Sequence, residues 1–130
     1  IYRAFLDPDA LAKFMPPHGF TGRVLEMDAR VGGGYRMQFT QFSTGQTHHF
    51  GGRYLELVPH ARIVNTDQFD DPQWPGQMIT TIELKAVSCG TELTAVQEGI
   101  PEAIPLDGCY LGWQETLQQL ALLVEPDLPA

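Results

Sequence analysis

Residues 105–126 read PLDGCYLGWQETLQQLALLVEP. Leu106, Cys109, Tyr110, Trp113, Leu117, Leu120, Ala121 and Val124 recur there in steps of three and four. That spacing puts them on one face of an amphipathic α-helix. Pro105 stands at its start, where a missing N–H costs nothing, and Pro126 at its end. At ~1.5 Å per residue, about 20 residues make a rod of about 30 Å, long enough to cross a whole sheet.

Upstream of this helix the period drops to two. Met78, Thr80, Ile82 and Leu84 alternate with Ile79, Thr81, Glu83 and Lys85, which predicts a strand over residues 78–87. Tyr35, Met37 and Phe39 share one face of the run 35–42, and Arg36, Gln38 and Thr40 the other. Further strands are predicted over residues 21–28, 48–58, 62–69 and 91–98. The punctuation between them is clear. The triple glycine 32–34 permits positive φ, STGQ (43–46) reads as a hairpin turn, and DDPQWPG (70–76) is too rich in proline and glycine for regular structure. The sum is an antiparallel meander of about six strands followed by one long helix. Near the start, Asp7-Pro8 reads as an N-cap followed by proline at the first helical position, which predicts a short helix over residues 9–14, stopped by Pro16-Pro17.

A sheet and a helix of this kind must bury their apolar faces on each other. The sheet offers large, soft side chains: Met37, Phe39, Tyr54, Phe69 and Met78. The helix offers Tyr110, Trp113 and Leu117. Such residues fill ordinary cores, and they also line cavities for apolar ligands. Both readings stand for each residue taken singly.

The chain has 130 residues, 43% hydrophobic and 18% charged, with 16 acids against 8 bases and a net charge of −8. This is the composition of a globular domain with a core of its own, and residues 1–130 contain no linker or repeat that divides them. The acidic balance disfavours nucleic acid and anionic membrane surfaces as partners. No apolar run approaches the ~20 residues that cross a bilayer. Two cysteines, Cys89 and Cys109, lack CxxC spacing and make no secreted disulfide framework, which fits a cytoplasmic setting. The charged opening IYRAFLDPDALAKF does not read as a signal peptide.

The segments YRAFLDPDALAKFMPP, GGGYRMQF, GGRYLELVP and GCYLGWQETLQQLALL resemble, in order and spacing, the SRPBCC (START/pollen-allergen-like) superfamily, nearest to its heat-shock-protein-90 ATPase activator-like branch. The resemblance covers essentially the whole chain. It implies an α+β helix-grip fold, in which a curved antiparallel sheet wraps a long C-terminal helix, with two short helices near the N-terminus. It also implies a hydrophobic cavity between sheet and helix. Family members open with one more strand, ahead of the segment that matches YRAF. The expectation is therefore that residues precede Ile1 or that a partner chain, as in a homodimer, fills the gap.

The resemblance supplies no catalytic motif to carry over. The residues that it and the apolar pattern nominate for ligand contact are Met37, Phe39, Tyr54, Phe69, Met78, Thr80, Glu98, Tyr110, Trp113 and Leu117. Glu98 enters because it ends the last strand, where an inward carboxylate would orient a ligand or act as an acid or base; otherwise it is a solvated rim residue. Three functions follow: an intracellular binding domain for a small hydrophobic molecule, a cyclase, dehydratase or hydrolase acting on an aromatic or polyketide-like substrate, and a domain that stimulates a chaperone ATPase. The enzyme reading needs two polar groups converging inside the cavity, such as Glu98 with Tyr110 or Thr80.

No cofactor or metal is called for. His48 and His49 are neighbours on a strand and point to opposite faces, so they cannot chelate together. His18 and His60 lack metal-ligand spacing. Asp67, Asp70 and Asp71 read together as a solvated acidic loop without calcium-loop spacing.

Overall fold

The computed structural model describes residues 1–125. Two short helices, α1 (Tyr2–Phe5) and α2 (Pro8–Phe14), precede six strands and a final helix. The strands are β1 (Phe20–Met27), β2 (Gly34–Gln41), β3 (Thr47–Val58), β4 (Arg62–Phe69), β5 (Met78–Val87) and β6 (Gly90–Glu98), and the helix is α3 (Leu106–Val124). The strands form one antiparallel sheet in sequence order, with β1 and β6 at its edges. This is the helix-grip arrangement that the resemblance implied. The expected helix stop at Pro126 lies outside the described residues.

Local chemistry accounts for the boundaries. Asp7 caps α2, its carboxylate accepting the backbone N–H of Asp9 at 2.9 Å and of Ala10 at 3.2 Å, while Pro8 takes the first helical position. Gly32, at φ +83°, supplies the left-handed residue of the β1–β2 connection, and Gly45, at φ +72°, does so in the β2–β3 turn. The apolar alternation of β5 places Met78, Thr80 and Ile82 inside, all buried.

Two bulges curl the sheet. Leu25 is an extra residue between Val24 and Glu26 opposite Met37 and Arg36, and Leu55 is one between Tyr54 and Glu56 opposite Asn65 and Val64. An unpaired extra residue bends a strand and increases its twist. Both bulged leucines are exposed as a result. Close strand approach adds to the curl: a Cβ on Gly52 would sit on the Thr66 carbonyl, so this position of β3 admits no side chain.

The core joins α1 and α2 to the concave face of the sheet. Phe5 meets Phe14 edge-on at 5.0 Å, and Leu11, Tyr35, Met37, Tyr54, Ile63, Ile82 and Leu120 are buried around them. Helix α3 packs most closely on α2. That contact is polar at its centre. The Thr116 hydroxyl donates to the Met15 carbonyl at 2.8 Å, and the Gln119 amide donates to the carbonyls of Phe14 and Pro16 at 2.8 and 2.7 Å. These three acceptors end α2 without intrahelical partners, and α3 satisfies them. His18 adds a 2.7 Å contact to Glu115. Held at its side by α2, α3 leaves space between itself and the strands.

Candidate ligand cavity

That space is a cavity of about 280 Å³. Its walls come from the inward positions of the central strands and from one face of α3. Tyr35, Met37 and Phe39 of β2, Phe50 and Tyr54 of β3, Met78, Thr80 and Ile82 of β5 and Gln97 of β6 meet Cys109, Gly112, Trp113 and Thr116 of α3. Apolar side chains dominate the lining. Phe39, Phe50, Phe69 and Trp74 form a chain of ring contacts at 4.8 to 5.7 Å, with Trp74 carried by the 70–76 loop.

The polar groups are few and connected. On β4 the residues Ile63, Asn65, Asp67 and Phe69 alternate toward the cavity, and all four line it. The Thr80 hydroxyl donates to Asp67 Oδ2 at 2.5 Å. Gln97 Nε2 donates to Thr80 Oγ1 at 3.2 Å, and the Trp113 indole N–H donates to Gln97 Oε1 at 3.3 Å. On the other side, Asn65 Nδ2 lies 3.3 Å from both Asp67 Oδ1 and the Tyr35 hydroxyl. The network thus links four strands and α3 through one carboxylate.

Burial pushes the Asp67 carboxyl up from 3.8 to about 6, and the hydrogen bonds from Thr80 and Gln97 only partly oppose it. Among the described residues no Lys, Arg or His lines the cavity to offset the charge. Burial also pushes the Tyr54 phenol up to about 12 and raises the Cys109 thiol, so neither carries a charge near pH 7. Asp67 can therefore accept hydrogen bonds as an anion, or hold and release a proton near neutrality. Cys109 has no activated thiolate to act as a nucleophile.

Of the ten residues nominated from sequence, Met37, Phe39, Tyr54, Phe69, Met78, Thr80 and Trp113 line this cavity. Three do not. Tyr110 is 69% exposed. The inward face of α3 is centred on Cys109, Thr116 and Leu120, and Tyr110 lies about 100° further round from Cys109. Leu117 packs beside the core instead of lining the cavity. Glu98 is exposed at the end of β6, where the inward side chain is its neighbour Gln97. Glu98 and Tyr110 are thus not brought together inside the cavity.

The apolar pattern does not nominate the polar groups Asn65, Asp67 and Gln97. By composition Asp67 reads with Asp70 and Asp71 as a solvated loop, but Asp67 lies within β4 and only the other two lie in the loop that follows. The signal was present: period two over IVNTDQF carries Asp67 to the same face as Ile63 and Phe69. His48 and His49 do point apart, with His48 5.2 Å from the Trp74 ring and His49 exposed.

Comparison with known proteins fits this architecture. Residues 1–125 match the profile of a family described as Activator of Hsp90 ATPase homolog 1-like protein. The crystal structure of a protein from Chromobacterium violaceum is 67% identical, over 97% of this chain and 88% of that one, with a TM-score of 0.95. A protein from Rhodobacter sphaeroides shares the fold at 21% identity, with 95% of this chain and 81% of that one covered and a TM-score of 0.79. A protein described as AHSA1-like, from Aeromonas hydrophila, does so at 16% identity, 99% and 89% coverage and a TM-score of 0.73. No curated protein matches the chain.

Proposed function

The chain belongs to the Activator of Hsp90 ATPase homolog 1-like family of the SRPBCC superfamily, and on that premise we propose that residues 1–130 act as one intracellular domain that binds a small hydrophobic ligand. The observation that carries this reading is the cavity itself. About 280 Å³ of apolar space lies between the sheet and α3, near the lower end of the roughly 300–1,000 Å³ of small-molecule sites. It has a single polar corner at Asp67, Thr80 and Gln97. A core built only for stability closes such space, because unfilled volume costs dispersion contacts. An apolar lining with a few convergent polar groups is what orients a bound molecule.

Gly112 gives a direct test. It lines the cavity, and a Cβ there would meet no neighbour within 4 Å. Gly112→Phe would add a ring on the face of α3 that carries Cys109 and Thr116, starting from a Cβ that meets no neighbour. Wild-type protein titrated with 4-phenylbutan-1-ol in a calorimeter is expected to bind it saturably. The variant, if its circular dichroism and unfolding midpoint are at least as good, is expected to lose that binding. Equal binding by both proteins would place the ligand elsewhere and sink the proposal.

A further inference from the structure

We propose that the cavity selects hydrophobic molecules that end in a protonated amine, with Asp67 as the counter-ion, and rejects those that end in a carboxylate. This inference rests on the ligand-binding reading above and names the chemical class that the site takes.

The geometry supports it in three ways. First, Asp67 is the only carboxylate on the wall, among the described residues, and no basic side chain shares the wall with it. An ionised carboxylate offers about four acceptor positions. Thr80 occupies one on Oδ2 and Asn65 one on Oδ1, while Gln97 donates to the Thr80 hydroxyl behind them. Capacity on the cavity side remains for an incoming donor. Second, the surrounding network is made of donors that stabilise an anion: a hydroxyl, two amides and, behind them, an indole N–H. Third, the desolvation of Asp67 is already borne by the folded protein. Removing one charge of a pair from water usually opposes buried ion pairing. Here a cationic ligand loses only its own hydration and meets an anion already held in a weakly screening environment. A carboxylate ligand would meet a like charge at the same point, in a chain whose net charge is −8.

The charged and titratable groups around Asp67 make its pH response simple. Tyr35 of β2, Tyr54 of β3 and Cys109 of α3 are the other titratable side chains of the wall; none is a carboxylate or an amine, and burial raises both Tyr54 and Cys109. Thr80 of β5 and Gln97 and Trp113 beyond it do not titrate. Glu98, next to Gln97, is exposed on the opposite face of β6. Protonation of Asp67 alone therefore switches the corner from anion to neutral acid as pH falls.

The test uses three matched probes: 4-phenylbutylamine, 4-phenylbutan-1-ol and 4-phenylbutyrate. At about pH 7.5 the amine is expected to bind at least about tenfold more tightly than the carboxylate, with the alcohol between, because hydrogen bonds to a charged partner carry that order of free energy. Near pH 5 the amine should bind about tenfold more weakly, in proportion to the lost ionised fraction of a group titrating at about 6, while the alcohol changes little. In Asp67→Asn the preference for the amine should vanish. If that variant does not fold, the wild-type pH profile decides alone. Equal affinities, tighter carboxylate binding, or an amine preference that survives Asp67→Asn would overturn this assignment and leave the cavity reading intact. Binding by none of the three would overturn both.

Discussion

Asp67→Asn should gain stability relative to the wild type as pH rises from acid to neutral. The carboxyl moves from 3.8 to about 6 on folding, so the folded state holds this proton more tightly than the unfolded chain does. Its contribution to stability is fully present below about pH 3.8 and is lost as pH rises through about 6. The shift spans about 2 pH units at roughly 1.4 kcal/mol each, so about 3 kcal/mol is forgone at pH 7.5 and only about 1 kcal/mol at pH 4.5. Asparagine does not titrate. Its single carbonyl oxygen can accept from only one of Thr80 and Asn65, and the amide nitrogen meets the other; that mismatch costs an amount that does not vary with pH. The change in the stability difference between variant and wild type is therefore the clean quantity, and it should be about 2 kcal/mol between about pH 4.5 and 7.5. Urea unfolding at several pH values measures it, since every other titrating group cancels between the two proteins. A difference that stays flat across that range would show that Asp67 is not held in a poorly solvated site, and the electrostatic account of the cavity would fail with it.

Two further substitutions probe what positions the cavity. Gln119→Ala removes the donor shared by the Phe14 and Pro16 carbonyls and should cost about 1–3 kcal/mol in urea unfolding, against near neutrality for a substitution at exposed Gln118. Gly52→Ala drives a methyl into the Thr66 carbonyl and should lose about 3 kcal/mol or more, or fail to yield folded protein, whereas Gly90→Ala, with open space around its Cβ, should be tolerated within about 1 kcal/mol.

The fold was legible because two periods dominate this chain. Alternation over residues 62–69 and 78–87 gives β4 and β5 to the residue, and steps of three and four from Leu106 give α3. Periodicity says less about which way a helix faces when further leucines, here Leu111, Leu122 and Leu123, lie off the main apolar stripe. Leu106, Tyr110, Leu111 and Leu122 are exposed, while the buried positions of α3 are Thr116 and Leu120. The polar Thr116 and Gln119 turn inward because their partners are the unsatisfied carbonyls that end α2, an arrangement visible only in three dimensions. The bulges at Leu25 and Leu55 were likewise hidden, since one extra residue leaves the local sequence looking like an ordinary strand. Asp67 was missed for another reason. By composition three acids within five residues look like one solvated loop, and only the period of two separates Asp67 from the others.

If the space between the sheet and α3 is a ligand site, its methionines report the ligand directly. Met15, Met37 and Met78 line the cavity, while Met27, at the end of β1, does not. Methyl NMR spectra of methionine-labelled protein, titrated with 4-phenylbutan-1-ol, should show saturable shifts of the Met15, Met37 and Met78 ε-methyls and none at Met27. Unmoved signals at the three lining methionines, or a shift at Met27 equal to theirs, would contradict a ligand site there.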